Sequence, residues 1–253
     1  MQIDLNCDMG ESFGAYRTGA DAELMPLVSS ANIACGFHAG DPHSIDRTVR
    51  LAKKHGVAVG AHPGHFDLRG FGRRPIQVIP EEIELDVIYQ VGALAAFARS
   101  HDADLVHVKV HGALYNQAAS EPELARAIAR GITRVGRELI MVGLATSPVM
   151  REAAEAEGLR FAGEAFADRV YNPDGTLQSR RIAGSVLTDA ERSARQSLSI
   201  VRDHALTAHD GSRVELTADT LCLHGDNPSA VENARTIRRV FEEAGVEVRP
   251  LQR

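Results

Sequence analysis

The chain has 253 residues, 44% of them hydrophobic and 25% charged, a balance that is ordinary for a globular protein. Its length suits a single α/β barrel domain spanning residues 1–253. A net charge of −6, with acids and bases interspersed, argues against a nucleic-acid-binding surface. Without an apolar run of about 18 residues or a basic leader, neither a membrane-spanning nor a secreted protein is expected.

Strand-like and helix-like segments alternate through the first half of the chain. Four strands are predicted from the strings QIDLNC, NIACGF, VAVGAH and LVHVKVH. After a short helix-like piece at residues 21–28, a helix begins at Asp41-Pro42, an acid at the cap followed by proline, and Gly56 ends it. A long loop at residues 63–79 separates the third strand from the next helix.

The alternation continues through the second half. Ser120 and Glu123 predict a capping box at the start of one helix, and Pro228 predicts the start of the last. An irregular segment at residues 168–184 precedes a helix near residues 189–204. Further strands are predicted from the strings LIMVGL, RFAGEAF and DTLCLH, with VEVRPL as a candidate eighth strand. Seven or eight such units predict a parallel sheet, and a closed barrel is favoured over an open doubly wound sheet.

Each predicted strand has an apolar face and a polar face. The fourth strand divides into two such rows, Val106, Val108 and Val110 against His107, Lys109 and His111. Valines suit the helix-covered side of a barrel, so the polar row is expected to point inside. The same rule directs these residues of the other strands inward: Asp4, Asn6, Asp8, Asn32, Gly36, His38, Gly60, His62, Glu164 and His224.

The inward histidines fall where strands give way to loops, the end of a barrel at which enzymes of this architecture keep their sites. Buried polar groups must satisfy one another or meet water and a ligand. A single histidine at a strand end is more often a hydrogen-bonded packing residue, and a pair between Lys109 and Asp4 could be purely structural. Several strands place polar residues at the same end of the barrel, and this coincidence favours a functional site.

Three cysteines are present, Cys7, Cys35 and Cys222, and they lack CxxC spacing. They indicate reduced thiols in a cytoplasmic protein rather than a zinc knuckle. Cys7 and Cys222 are interpreted as buried fillers rather than nucleophiles.

Two arginine-containing loops are candidates for binding an anion. Residues 66–75 place Arg69, Arg73 and Arg74 among glycines, and residues 179–185 form a second such loop. Arginine forks bind carboxylate or phosphate in a bidentate manner. Taken alone, each loop is more typical of a solvated surface.

Motifs for nucleotide and zinc chemistry are absent from the sequence. There is no P-loop, no Gly-Lys pair, no dinucleotide-binding glycine motif and no HExxH string. A catalytic metal stays open, because Asp8, His38 and His62 could converge from neighbouring strands as a carboxylate and two imidazoles.

Several strings together resemble the LamB/YcsF family, which is described as the A subunit of the prokaryotic ATP-dependent 5-oxoprolinase. They occur in the family's order between Asp4 and about Pro228: DLNCDMGE, ANIACGFHAGDP, GAHPG, GFGRR, HGALYN, EAFADRVY and LCLHGDNP. One departure stands at Val110, where the family usually has proline between lysine and histidine. Position 110 is expected to face the helices, so the change should leave the site intact.

The resemblance implies an irregular (β/α)7 TIM-like barrel of the glycoside hydrolase/deacetylase type. It implies cleavage of the cyclic amide of 5-oxo-L-proline to L-glutamate, with hydrolysis of ATP to ADP and phosphate. Subunits B and C are the implied partners, and ATP would be bound wholly or partly by them. A divalent metal stays an open question.

Site residues follow from the same combination of motifs and inward faces. The candidate catalytic residues are Asp8, His38, His62, Lys109 and His111. The candidate substrate-binding residues are Asn6, Glu11, Asp41, Arg73, Arg74, Glu164 and His224. The working hypothesis makes Asp8 or His38 the general base and has Lys109 and His111 stabilise the developing anion. The two arginines would hold carboxylate or phosphate.

Two alternatives belong to other functional classes. One is a metal-dependent deacetylase or amidohydrolase that needs no ATP, which would carry a stoichiometric divalent metal. The other is a non-catalytic barrel that binds a small acid and docks partner subunits.

Overall fold

The computed structural model describes residues 1–252, in which strands and helices alternate. The strands are β1 (Gln2–Met9), β2 (Ser30–Ala34), β3 (Ala58–His62), β4 (Leu105–Lys109), β5 (Ile140–Leu144), β6 (Arg160–Phe166), β7 (Ala205–Thr207), β8 (Arg213–Glu215), β9 (Thr220–His224) and β10 (Glu247–Val248). The helices are α1 (Asp21–Leu24), α2 (Pro42–His55), α3 (Pro80–Ser100), α4 (Gly112–Ala118), α5 (Pro122–Val135), α6 (Pro148–Ala156), α7 (Ala190–Asp203) and α8 (Ala230–Glu243), and a 3-10 turn, Met25–Leu27, follows α1.

Within residues 1–252, seven parallel strands close into a barrel. Strands β1 to β6 pair in sequence order, β9 follows β6, and β9 pairs with β1. The predicted (β/α)7 TIM-like barrel is therefore confirmed. The closing pair aligns Asp8 with His224, two residues far apart in the sequence. The candidate eighth strand, β10, pairs in parallel with the start of β1 and lies outside the ring.

Local signals set several helix ends where the sequence predicts them. The Asp41 side chain accepts hydrogen bonds from the backbone N–H groups of His43 and Ser44, at 2.8 and 2.9 Å, and caps α2. Gly56 ends that helix at φ +67°, a conformation that costs glycine little. Within residues 1–252, no helix combines the length and apolarity needed to cross a membrane.

From residue 112 onward, the structure departs from the predicted elements at four points. The capping box is wrong, because α5 has no side-chain cap and the Ser120 hydroxyl donates to the Gln117 carbonyl. The last helix begins at Ala230, two residues after the predicted proline. Helix α4 and the β7–β8 hairpin were not predicted, since both are too short to show periodicity.

Two predicted strands also end earlier than their apolar strings. Strand β2 ends at Ala34 and β4 at Lys109, so His38 lies in the loop after β2 and His111 is the cap residue of α4. Both rings still reach the mouth of the barrel, from loops rather than from strands.

The two faces of β4 separate as expected. Val108 and Val110 are buried in the main apolar core, and His107 and Lys109 lie inside the barrel. Val110, which follows β4, also lines the central cavity, so the expectation that position 110 faces only the helices is corrected. Opposite His107, Gly60 leaves room for the imidazole, because a Cβ at Gly60 would lie 2.0 Å from His107 Nε2.

Candidate functional site

A cavity of about 740 Å³ opens at the C-terminal ends of the barrel strands. Its volume lies in the range that small-molecule sites usually occupy. Seven of the predicted site residues line it: Asp8, His62, Arg73, Arg74, Lys109, His111 and His224. Three more, Asn6, Glu11 and Glu164, are buried behind that lining.

Two predicted site residues have other surroundings. His38 is buried against His111, with the two rings parallel and their centroids 3.8 Å apart. Asp41 caps α2 and also accepts a hydrogen bond of 2.7 Å from the Gly14 N–H. The structure therefore gives Asp41 a structural role, whereas His38 supports the wall of the cavity from behind.

Lys109 is the centre of the polar interior. Its Nζ atom lies 2.8 Å from Glu164 Oε1, 2.9 Å from Asp8 Oδ1 and 2.9 Å from Cys222 Sγ. Burial alone would lower the pKa of this ammonium, but Asp8 and Glu164 help raise it well above its ordinary value. We call these four residues the lysine cluster.

The pKa of Asp8 is shifted in the opposite direction. Burial alone would raise it, but His62 and Lys109 lower it well below its ordinary range. Asp8 is therefore ionised at neutral pH, and a carboxylate held so firmly in that form is a weak proton acceptor.

Two predicted roles for interior residues need correction. Asp4 accepts hydrogen bonds from the hydroxyls of Ser29, Ser30 and Thr220 and is not the partner of Lys109. Cys222 contacts the Lys109 ammonium rather than filling apolar space, although burial raises the pKa of its thiol well above the ordinary value and so keeps it protonated.

A layer of amides beneath the lysine cluster holds it in place. Asn32 Nδ2 donates to Asp8 Oδ1 at 2.8 Å and to Asn6 Oδ1 at 2.7 Å. His107 Nε2 lies 2.7 Å from Asn32 Oδ1, and burial lowers the pKa of His107 to about 3, so its ring is neutral. Hydrogen bonds among these side chains help the barrel tolerate a polar interior, although His107 Nδ1 has no partner within residues 1–252.

Beside the lysine cluster lies a second group, Glu11, His38, His62 and His111, which we call the histidine cluster. Its donor atoms lie within 4.8 Å of one another, and all four residues are buried. Burial, together with the neighbouring His62, lowers the pKa values of His38 and His111 well below the ordinary value. Burial and the nearby Asp8 carboxylate raise the pKa of Glu11.

The structure groups the metal-compatible residues differently from the sequence. Asp8, His38 and His62 were the expected triad, and His62 Nε2 does lie 3.3 Å from Asp8 Oδ2. His38, however, is nearer to Glu11 and His111. Within residues 1–252, the groups that could hold an ion are the histidine cluster and a set formed by Asp8, Cys222 and His224.

Next to the lysine cluster, at the end of strand β9, His224 forms a dyad with Asp168. The distance from His224 Nδ1 to Asp168 Oδ1 is 2.8 Å, and Asn227 donates to the other carboxylate oxygen. Because the carboxylate accepts the Nδ1 proton, Nε2 keeps its lone pair. Burial lowers the pKa of His224 although Asp168 opposes the change, so the ring is neutral at pH 7.

Asp168 is a residue that the sequence did not single out. Burial alone would raise its pKa, but His224 and Asn227 lower it, so it is ionised. It follows strand β6 immediately after the string EAFA, and that position at a strand end was the available signal. Its partner lies 56 positions further along the chain.

The rim of the cavity is rich in arginine. Arg73 pairs with Asp226 at 2.7 Å, and Arg74 pairs with Asp67 while its side chain stays 60% exposed. Arg169 was not predicted: it is buried, it lines the cavity, and its Nε atom has no hydrogen-bond partner in residues 1–252. Burial and the neighbouring Arg180 lower the pKa of Arg169 to about 10, so it is still charged. This rim suits an anionic group.

Comparisons with known proteins cover almost the whole chain. A sequence model of the LamB/YcsF family matches residues 3–253. A Symbiobacterium thermophilum protein named as the A subunit of 5-oxoprolinase is 54% identical over 247 residues, which are 98% of this chain and 94% of that protein. A Pyrococcus abyssi protein of the same name is 53% identical over 252 residues, 100% of this chain and 98% of that protein.

Solved structures agree in fold. The lactam utilization protein of Thermus thermophilus superposes with a TM-score of 0.94 at 50% identity, covering 99% of this chain and 100% of that one. A putative cellobiose-phosphate cleavage protein of Enterococcus faecalis has a TM-score of 0.57 at 12% identity, covering 98% and 97% of the two chains. The latter likeness concerns the fold alone.

Proposed function

This chain belongs to the LamB/YcsF family, and from that premise we propose that it is the lactam-cleaving subunit of an ATP-dependent 5-oxoprolinase. The reaction would open 5-oxo-L-proline to L-glutamate while ATP becomes ADP and phosphate. One observation carries the proposal: relatives named as the A subunit of 5-oxoprolinase match this chain along nearly its full length at about half identity.

Partner chains follow from the same premise. The word subunit in the relatives' name supports a complex, and we assign the partners as subunits B and C. ATP would be bound wholly or partly by them, in keeping with a sequence that contains no P-loop. A cytoplasmic location fits cysteines that are all free and buried.

The chemistry of the substrate matches the two sides of the cavity. A five-membered lactam is a stable amide, and phosphorylation of its oxygen makes the ring carbon electrophilic. Water then adds to that carbon, the C–N bond breaks as the nitrogen takes a proton, and the resulting acyl phosphate loses phosphate to a second water. The arginine rim, with Arg73 and the unpaired Nε of Arg169, would hold the carboxylate or phosphoryl group.

His224 replaces Asp8 and His38 as the general base in this proposal. Asp8 has a pKa too low for the task, and His38 lies behind His111. His224 lines the cavity, is neutral, and is oriented by a buried carboxylate, which are the features of an activating base. Lys109 would stabilise negative charge that develops on the oxygen added by water to the ring carbon.

The test uses the host cell, where the partner chains are present. We expect deletion of this gene to raise intracellular 5-oxoproline, and the native gene to reverse that rise. A gene carrying His224→Gln should fail to reverse it, whereas His65→Gln, at a buried histidine bonded to Gln117, should succeed. Unchanged 5-oxoproline after deletion would refute the proposed substrate.

The histidine cluster supports a second candidate, a metal-dependent amidohydrolase that needs no ATP. The two functions differ in nucleotide dependence. In cell extracts, glutamate formation from 5-oxoproline that stops when ATP is depleted supports the oxoprolinase. Amide hydrolysis that continues without ATP supports the alternative.

A further inference from the structure

Two ring nitrogens in the histidine cluster face each other, and the other nitrogen of each ring lies against a backbone carbonyl. His62 Nδ1 lies 2.7 Å from the Lys109 carbonyl oxygen, and His111 Nε2 lies 2.9 Å from the Phe71 carbonyl oxygen. A carbonyl only accepts hydrogen bonds, so each of these nitrogens carries its ring's proton. The opposite nitrogens, His62 Nε2 and His111 Nδ1, point into the cluster and lie 2.9 Å apart, and His62 Nε2 also lies 3.3 Å from Asp8 Oδ2.

His38 adds a ring with no partner at all. It is 1% exposed, and within the part of the chain that the structure describes neither its Nδ1 nor its Nε2 has a hydrogen bond. Its Nε2 lies 3.9 Å from Glu11 Oε1, which in turn lies 3.8 Å from His111 Nδ1. A fully desolvated imidazole with both nitrogens unsatisfied indicates a ligand to which it binds.

We propose that Glu11, His38, His62 and His111 bind one divalent first-row transition metal ion, with zinc as the best fit. Three imidazole nitrogens and one carboxylate oxygen suit zinc and its neighbours, whereas magnesium and calcium prefer oxygen ligands. With bonds of about 2.1 Å, ligand atoms of a tetrahedral zinc site lie about 3.4 Å apart. The donor distances of 2.9, 3.8 and 3.9 Å bracket that value.

The contacts of His62 and His111 with backbone carbonyls support the same conclusion. Metal-binding histidines nearly always donate their other ring N–H to a carbonyl or carboxylate, which fixes the ring and its tautomer. Both rings have this partner in place, on Lys109 and Phe71.

The set formed by Asp8, Cys222 and His224 differs from the histidine cluster in one respect. The Lys109 ammonium already lies 2.9 Å from both Asp8 Oδ1 and Cys222 Sγ. That set therefore contains its own cation, and a second one would be repelled. In the histidine cluster, no lysine or arginine nitrogen contacts the four residues within residues 1–252 at ion-pair distance.

One ring must turn for the ion to enter. The rings of His38 and His111 are parallel, and lone pairs lie in the ring plane, so both cannot point at one ion as stacked. Because Phe71 holds His111 and nothing holds His38, His38 is the ring that turns. Gly64 and Gly72 keep side chains away from His38: a Cβ on Gly64 would lie 2.8 Å from His38 Nδ1, and one on Gly72 would lie 2.7 Å from His38 Cβ.

Four protein ligands form a closed set, which is the usual form of a structural zinc site. The ion would join the ends of four consecutive strands, because Glu11 follows β1, His38 follows β2, His62 ends β3 and His111 follows β4. It would thereby fix the two histidines that line the cavity.

Element analysis of the native chain, purified without chelators from cells given zinc, is the first test. We expect one zinc per chain. The stripped protein is then titrated with zinc against a competing chelator. Glu11→Gln and His38→Gln should each weaken binding by more than about 100-fold, beyond the loss typical of changing a residue that only hydrogen-bonds to a metal ligand. His65→Gln is the matched control and should bind as the native chain does, since His65 is buried but bonded to Gln117.

A native chain that binds no zinc in the titration would overturn the site. Native zinc affinity in a folded His38→Gln protein would also overturn it. This variant decides the matter if Glu11→Gln does not fold, because His38 makes no hydrogen bond that the substitution could remove. If Cys222→Ser abolishes zinc binding and His38→Gln does not, the ion lies at Asp8, Cys222 and His224, and the proposal is contradicted. None of these readouts requires turnover, so they stand apart from the test of the lactam reaction.

Discussion

The lysine cluster and the histidine cluster share a wall of the barrel, yet their buried charges are balanced in different ways. In the lysine cluster an ammonium lies between two carboxylates, and an amide donates to one of them. In the histidine cluster three imidazoles surround a carboxyl group, and within residues 1–252 one ring has no hydrogen-bond partner. The first contains its own cation, whereas the second requires one from a ligand.

Breaking the lysine cluster should have the largest effect. Lys109→Met removes the cation from two buried carboxylates and should lower the free energy of unfolding by about 3–5 kcal/mol. Urea denaturation measures this, with Lys53→Met as the control because Lys53 is exposed. A Lys109→Met protein as stable as the native one would mean that the carboxylates are not held by this ammonium.

His224 belongs to neither cluster, so replacing it tests whether the chemistry depends on a residue outside both. Replacing it with glutamine should lower kcat by about 10²- to 10⁴-fold, the usual contribution of a general base, and leave the melting temperature nearly unchanged. Asp168→Asn should also lower kcat. If Asp8→Asn abolishes turnover while His224→Gln retains it, the base belongs to the lysine cluster instead.

The pH dependence of the reaction should distinguish these bases further. His224 must be neutral to accept a proton, and burial lowers its pKa although Asp168 and Asp8 oppose the change and Arg180 adds to it. Activity should therefore persist as the pH falls through the ordinary histidine range and be lost only below it. A fall in kcat at or above the ordinary histidine pKa would contradict this assignment.

Removing metal should affect only the histidine cluster. At a zinc concentration 100 times Kd, bound metal adds about 2.7 kcal/mol to the free energy of unfolding. The melting temperature of the native chain should rise with zinc and fall with chelator, and that of His38→Gln should respond to neither. Equal shifts in both proteins would show that zinc acts elsewhere.

The arginine rim should give the smallest effect. Arg74 is mostly exposed and already paired with Asp67, so Arg74→Gln should raise KM about two- to five-fold with kcat unchanged. Arg169→Gln, at a buried side chain with a free nitrogen, should raise KM more. Steady-state kinetics of the assembled enzyme separates the two.

The order of strands and helices, and the polar face of β4, could be predicted because they depend on neighbours in the sequence. Alternation placed His107 and Lys109 inside, and the cap at Asp41 was visible from two adjacent residues. The partners inside the barrel could not be predicted in this way. Lys109 meets Asp8 rather than Asp4, because the pairing depends on strand stagger, which leaves no local mark in the sequence.

Asp168 and the histidine cluster were hidden for a related reason. Glu11, His38 and His111 are held by loops or at a helix cap, where no periodicity predicts side-chain direction. Whether these side chains lie close together depends on how far each loop folds back over the C-terminal end of the barrel.

The alignment of Asp8 with His224 has a consequence for folding. These residues belong to the pairing of β1 with β9, which joins strands more than 200 positions apart and closes the ring. Contacts of such long sequence separation form late, because the entropy lost in closing the loop must be offset first. Asp8 and His224 therefore come together only when the ring closes, and a partly folded intermediate lacking β9 has no complete site. Recovery of activity during refolding should thus lag behind recovery of helix content.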